Sequence, residues 1–278
     1  SRFLARSQYA GLFRSAFRGQ GMEFAEVREY AEGDEVRLID WNVSARHQTL
    51  FVKRMVEERE RNVVLMVDIS GSLVFGSVQR TKADLLTEVA ALLILSGFYA
   101  KDRVSLVLVR SGVELFIPAA KGWNQAARLI RELVSMQPGG AASGLDPVWN
   151  FVNSQGIPRS LLVFLTDFQA PLQASHSFSA ACRKHEVVFF LASDPREWSL
   201  PAAGRIRVRH LETGKTMVIN TGRVAVRGEY EHRAQEKRAS LTRLLRNNGV
   251  DWVELSTGVS YESALRRFLV GRAGQQAR

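Results

Sequence analysis

The segment Asp68-Ile69-Ser70-Gly71-Ser72 sets one carboxylate and two hydroxyls at alternate positions. In extended chain, alternate side chains leave on the same side, so these three oxygens can face one point. Hard oxygen donors with few carboxylates suit Mg2+ or Mn2+ rather than zinc. An ion held by hydroxyls keeps its waters and has room for one more ligand. Two residues elsewhere could complete the set. Asp167 follows an apolar run at 161–166, and Ser143 ends the loop Gly139-Gly140-Ala141-Ala142-Ser143 ahead of a helical stretch. That loop also admits a register at Ala141-Ala142, which brings no hydroxyl. Taken alone, D-x-S-x-S reads equally as residues capping the helix that follows. Independent donors at other strand–helix junctions are what favour a metal ion.

Such a site needs a scaffold that gathers strand ends, and the middle of the chain describes one. β-branched and apolar runs at 63–68, 104–110, 113–117, 161–166, 187–191 and 250–255 alternate with helical patterns at 81–100, 124–136, 145–153, 175–185 and 261–270. Continuous apolar runs of this kind mark strands buried on both faces. The alternation predicts an α/β fold with a doubly wound, mostly parallel sheet flanked by helices. Ser111-Gly112 leaves room only for a hairpin, so one strand should run antiparallel at an edge. In doubly wound sheets ligands bind beyond the carboxyl ends of the strands, where Asp68 and Asp167 are expected. Residues 1–61 form an N-terminal extension that closes on a strand-like stretch at 50–56. Residues 62–278 form the α/β domain, with 195–248 inserted as a β-hairpin plus a long basic helix.

Composition is that of an ordinary globular chain, 46% hydrophobic and 24% charged over 278 residues. The single Cys182 excludes an internal disulfide and a multi-thiolate zinc site, and suits a reducing compartment. Arg183 and Lys184 beside it could lower its pKa, although a packed small residue is the plainer expectation. The longest uncharged apolar run, 89–100, is short for a membrane span. A cytoplasmic location is therefore expected. The net charge of +10 is uneven. Residues 205–246 hold eleven Lys and Arg against four Glu, while 21–61 holds ten acids against seven bases. A basic stretch attracts anionic surfaces. Without a recognised nucleic-acid motif it reads better as a solvated helix face, so no specific nucleic acid is expected. Peripheral contact with an anionic membrane stays open.

Several motifs fail on inspection. Gly214-Lys215-Thr216 has Arg209 where a phosphate loop needs its first Gly. The five His (His47, His176, His185, His210, His232) show no ligand spacing. Ser70 and Ser72 lack the surroundings of a nucleophile elbow.

The N-terminal segment has no metal logic but is rich in charge around aromatics: Glu23, Arg28, Asp34, Arg37, Asp40, Trp41 and Arg46. It is either a partner-docking surface or a bidentate Arg–carboxylate network that pins the extension. Its pattern, G-x-G-M-E-F-x-x-V-R-E-Y-x-x-G-D-x-x-R-x-I-D-W-x-x-S-A-R from Gly19 to Arg46, resembles the bacterial family catalogued as domain of unknown function 58 (DUF58). The D-x-S-x-S loop with Asp167 resembles the metal-ion-dependent adhesion site of von Willebrand factor A domains. The resemblance extends to Leu211-Glu212-Thr213-Gly214 and the closing Leu-Arg-Arg-Phe-Leu, and so spans most of the chain.

The resemblance implies a von Willebrand A-like fold. It implies that Ser70 and Ser72 ligate Mg2+ (or Mn2+) directly, with Asp68 and Asp167 acting directly or through water. Ser143 would stand where Thr is usual, keeping the hydroxyl but losing the methyl that stiffens its rotamer. The function implied is a non-catalytic, metal-dependent protein-interaction module whose partner supplies a carboxylate, such as a MoxR-type AAA+ ATPase. The alternatives are a metal-assisted hydrolase and an anionic-surface binder.

Overall fold

The computed structural model describes residues 11–13, 15–17, 22–47, 49–57, 60–140, 145–169, 175–211 and 213–276. Ser143, Glu212 and most of 1–20 lie outside the described residues. The chain divides into two compact units, 18–61 and 1–17 with 62–278.

The smaller unit is a two-stranded antiparallel ribbon, β1 (Met22–Glu29) against β2 (Phe51–Glu57), with the short helix α1 (Trp41–His47) in the connection. Asp40 precedes α1, and its Oδ1 accepts the N–H groups of Asn42 and Val43, two donors a helix start leaves orphaned. Ser44 Oγ accepts the Phe51 N–H at 2.8 Å and ties helix to ribbon.

In the larger unit β3 (Asn62–Asp68) is followed by α2 (Lys82–Ala100), β4 (Arg103–Val109), β5 (Val113–Ala120), α3 (Trp123–Ser135) and α4 (Asp146–Ser154). Then come β6 (Leu161–Thr166), α5 (His176–Lys184), β7 (Glu186–Ser193) and the short α6 (Pro195–Trp198). The hairpin β8 (Arg205–Arg209) and β9 (Thr216–Asn220) leads into α7 (Val224–Asn247), β10 (Asp251–Ser256) and α8 (Tyr261–Gln276). Six strands form one sheet in the order β10-β7-β6-β3-β4-β5. All neighbours are parallel except β4 and β5, so the expected antiparallel edge strand is β5. The hairpin β8–β9 is a separate two-stranded sheet.

Side-chain alternation gives the sheet two cores. Val63, Leu65 and Val67 join Leu85, Val89, Leu93, Leu129 and Leu265 on one face. Val64 and Met66 join Trp149, Phe164, Phe178 and Phe189 on the other. Trp149 is fully buried, with the Phe178 ring 5.0 Å and the Phe164 ring 5.8 Å away, centroid to centroid.

α2 starts where it does because Thr81 and Asp84 cap each other's backbone N–H groups, and it ends on Lys101 in the left-handed conformation (φ 63°). It is long and apolar enough to cross a membrane, but its apolar residues Leu85, Leu86, Val89, Ala90, Leu93 and Ile94 are buried in the first core. Its apolarity is that of a central helix. Residues 1–17 belong with 62–278 in the larger unit. Phe13 and Phe17, each 1% exposed, pack in the first core, where Arg272 lies over the Phe17 ring at 4.6 Å.

Candidate functional site

Numbering only the six sheet strands in chain order gives 3-2-1-4-5-6, and the winding reverses between β3 and β6. That reversal opens a crevice at the carboxyl ends of these two strands. Asp68 ends β3, and Thr166 and Asp167 end β6.

All these groups are buried: Asp68 is 4% exposed, Ser70 0%, Ser72 7%, Thr166 1% and Asp167 8%. Asp68 Oδ1 accepts the Ser70 N–H at 2.8 Å, which bends the loop back over the strand end. Its Oδ2 accepts the Thr166 hydroxyl at 2.7 Å across the crevice. Ser70 makes no capping bond to the 3-10 turn at Gly71–Val74; its hydroxyl lies 3.1 Å from that of Ser72. The capping explanation of the pattern is therefore not the one Ser70 adopts. Burial first, then the nearby charge of Asp167, raises the Asp68 pKa above its ordinary value, against the pull of its hydrogen bonds.

Gly71 is required by its surroundings. Its N–H donates to the Gly140 carbonyl at 2.9 Å, and the Gly139 N–H returns a bond to the Ile69 carbonyl at 3.0 Å. A Cβ at Gly71 would stand 2.9 Å from the Gly140 oxygen and 3.3 Å from the Leu211 oxygen at the hairpin tip. Residues 139–140 are thus anchored on the candidate site, while Ser143 lies outside the described residues.

Asp167 is aimed by an unusual turn. Phe168 has φ 58°, a left-handed conformation that costs a bulky residue on the order of 1 kcal/mol or more. The Phe168 N–H donates to Thr166 Oγ1, and its ring packs 5.5 Å from that of Phe189. Asp167 Oδ2 then accepts from Lys82 Nζ at 2.6 Å, and the same ammonium donates to Glu197 Oε1 at 2.5 Å. Lys82 is 1% exposed. Burial lowers its pKa, but Asp167 and Glu197 outweigh this and hold the pKa above the ordinary lysine value. Glu197 belongs to a second polar cluster. Asp194, fully buried, accepts from Ser77 Oγ, the Ser77 and Arg196 N–H groups and Thr257 Oγ1, while its own N–H donates to Glu197 Oε2. A cavity of about 400 Å³ adjoins Asp167, lined by Phe168, Leu191, Trp198, Arg238 and Leu241.

Sequence reasoning missed Lys82, Glu197, Thr166 and Asp194. Thr166 could have been found, since it precedes Asp167 at the same strand end. Lys82 gives no signal of its own, lying 85 and 115 residues from its two partners.

These residues suit a divalent cation. Adjacent ligands on an octahedral ion at 2.0–2.1 Å lie roughly 3 Å apart, the separation of the two serine hydroxyls. Two carboxylates that repel each other are also what a cation relieves. Among the described residues no group of three or more His, Cys, Asp and Glu is placed to hold a metal ion.

The N-terminal candidates separate. Arg28 and Asp34 form a bidentate pair at 2.8 and 2.6 Å. Arg37 pairs with Glu35 at 2.5 Å, and Lys53 lies 3.7 Å from Asp40. Trp41, 64% exposed, and the exposed Arg46 share α1. Glu23 lies on β1, its side chain outside the description. Cys182 follows the plainer of its two expectations, that of a packed residue: burial raises its thiol pKa to about 11, and Arg183 only partly opposes this.

Comparison with known proteins gives four matches. The profile of the family described as "Protein of unknown function DUF58" matches residues 26–240. The uncharacterized protein Rv1480 of Mycobacterium tuberculosis is 28% identical over 256 residues, covering 91% of this chain and 80% of that protein. Among solved structures, the conserved hypothetical protein BatB of Bacteroides thetaiotaomicron is 15% identical with a TM-score of 0.50, over 77% of this chain and 99% of BatB. The SpRpn10 VWA domain is 7% identical with a TM-score of 0.41, over 75% and 93%. At such identity the likeness to BatB is one of fold alone.

Proposed function

We propose, for a chain that belongs to the DUF58 family of proteins of unknown function, that the Asp68–Ser72 loop is a divalent-metal site through which the protein binds another protein without catalysis. The observation that carries this reading is the pair of serine hydroxyls, 3.1 Å apart, of which that of Ser70 makes no capping bond, beside two buried carboxylates at the reversal of the sheet. Ser70 and Ser72 would hold the ion, with Asp68 and Asp167 contributing charge directly or through water. Thr166 and the Ser70 N–H fix the Asp68 carboxylate, and Lys82 fixes that of Asp167. Mg2+ or Mn2+ held there would supply a Lewis-acidic charge able to take an oxygen from a carboxylate on a partner.

In this reading the partner is a MoxR-type AAA+ ATPase and the setting cytoplasmic. The exposed Trp41 and Arg46 offer a second contact surface. The test is recovery of the ATPase by the immobilised full chain with Mg2+ or excess chelator. Mg2+-dependent recovery that Asp68→Ala abolishes is expected. Recovery unchanged by chelator and by the substitution would overturn the reading, and sustained phosphoester hydrolysis by metal-loaded protein would replace it with an enzymatic one.

A further inference from the structure

Residues 199–228 hold six Lys and Arg against one acid, Glu212. Three of the six, Arg205, Arg207 and Arg209, alternate along β8 with Ile206 and Val208. Alternate side chains of a strand leave on one face, so the three guanidinium groups form a row with about 6.6–6.8 Å between neighbours. β9 sets Asn220, Val218 and Thr216 opposite them, none of which carries charge. All three arginines are exposed, and among the described residues none of their guanidinium groups has an ion-pair or hydrogen-bond partner. The cations of α7 behave differently. Arg233 pairs with Glu229 and Arg238 with Glu254, while Lys237 donates to the Gln169 side chain and Arg227 to the Thr221 carbonyl. Most of the charge on the helix is matched within the protein, and that on the strand is not.

The hairpin is a sheet of its own, so the outer edge of β8 has no strand beside it among the described residues. Such an edge offers backbone N–H and C=O groups to another extended chain. The tip of the hairpin lies on the candidate site. The Leu211 oxygen is 3.3 Å from where a Cβ on Gly71 would stand, and the His210 N–H donates to the Lys215 carbonyl to close the turn. Arg209 is the end of the row next to that tip.

We propose that β8 is a docking strip for an extended acidic segment of the protein partner, whose alternate carboxylates meet Arg209, Arg207 and Arg205. The inference rests on the protein-binding part of the reading above and not on the ion. An extended chain laid along the edge repeats its side chains at the spacing of the row, and opposite charges facing each other across a strand pair stabilise it. Main-chain bonds give such a segment affinity, and the arginines select its charge. Single-stranded nucleic acid fits less well, since β8 and β9 carry no aromatic side chain on which a base could stack. An anionic membrane has mobile headgroups and no two-residue period to match.

The test is fluorescence anisotropy of the full chain with labelled Glu-Thr-Glu-Thr-Glu and Thr-Thr-Glu-Glu-Glu, at low ionic strength, in MgCl2 or excess chelator. The peptides are equal in charge and composition, but only the first sets all its carboxylates on one face when extended. Wild type should bind it about threefold more tightly. Arg205→Gln/Arg207→Gln/Arg209→Gln should weaken that binding roughly tenfold or more and erase the preference. Arg243→Gln/Arg266→Gln/Arg267→Gln removes the same charge from exposed positions on α7 and α8 and should keep the preference. If the first triple variant does not fold, Arg207→Glu alone, at an exposed position, should lower affinity and preference in the same direction. Equal affinity of wild type for the two peptides, or equal losses in the two triple variants, overturns the inference. So does self-association of the first triple variant with unchanged peptide affinity, for the arginines then only guard the edge against its own copies. Tighter arginine-dependent binding of oligo-dT or of phosphatidylserine–phosphatidylcholine vesicles than of either peptide overturns it in favour of nucleic acid or lipid. Failure of every probe overturns it as well, and recovery of the ATPase decides the protein-binding reading by itself. Arginine-dependent affinity that chelator leaves unchanged removes the ion and keeps the strip; chelator-sensitive binding that ignores the arginines does the reverse.

Discussion

A carboxylate taken out of water is tolerated when its oxygens are matched, and the site residues follow that rule to different degrees. Asp68 accepts the Ser70 N–H on one oxygen and the Thr166 hydroxyl on the other but has a second acid nearby, and Asp167 has the buried ammonium. The oxygen donors at 68, 70 and 72 were legible because a two-residue period survives in the bare sequence. Lys82 was not, because nothing local distinguishes it from any lysine that opens a helix. Breaking its pair by Lys82→Met leaves a buried charge behind. In chelator, thermal unfolding should show a loss of about 3–5 kcal/mol. His185 follows the same rule from the other side. It is 4% exposed, and neither ring nitrogen has a hydrogen-bond partner among the described residues. Burial, then Lys184, lowers its pKa from 6.5 to about 4. A depressed pKa means that the unfolded chain takes up the proton first. The stability is thus present above pH 6.5 and is lost as pH falls toward about 4. Unfolding midpoints measured across that window should fall, by on the order of 2 kcal/mol for this group, and His185→Leu should flatten the fall.

Between elements, the site depends on two loops that grip each other through backbone rather than side chains. The Gly71–Gly140 and Gly139–Ile69 hydrogen bonds hold the 139–140 loop against the end of β3. Gly71→Ala sets a methyl 2.9 Å from a carbonyl oxygen with no flexible side chain to yield. The two loops should part, at a cost of about 1–3 kcal/mol, and Mg2+ affinity measured by calorimetry should fall with it. Equal affinity in Gly71→Ala would mean that the 139–140 loop contributes nothing to the ion. The strands were readable at this scale almost residue for residue, since β3, β6 and β7 are continuous apolar runs buried on both faces. β1, α1 and α6 were not, because their short, mixed polar sequences carry no period strong enough to stand out.

At the scale of the whole molecule, the larger unit is assembled from distant pieces of chain. Phe13 and Phe17 enter the core that Phe268 and Arg272 of α8 help to close, across some 250 residues of sequence. Phe17→Ala should cost about 3–5 kcal/mol and lower the melting temperature by at least about 5 °C. A change within experimental error would show that 1–17 is an accessory to this unit. Hydrophobic period and punctuation by Gly and Ser were enough, in the sequence alone, to determine strand and helix order, the antiparallel edge and the presence of oxygen donors in the Asp68–Ser72 loop, because these are local properties. Tertiary structure decided where the winding reverses, which brings β3 beside β6 and Asp68 within reach of Thr166. It also decided that a lysine stands beside Asp167. Charge balance in a buried cluster depends on which residues meet, and chain order does not record that.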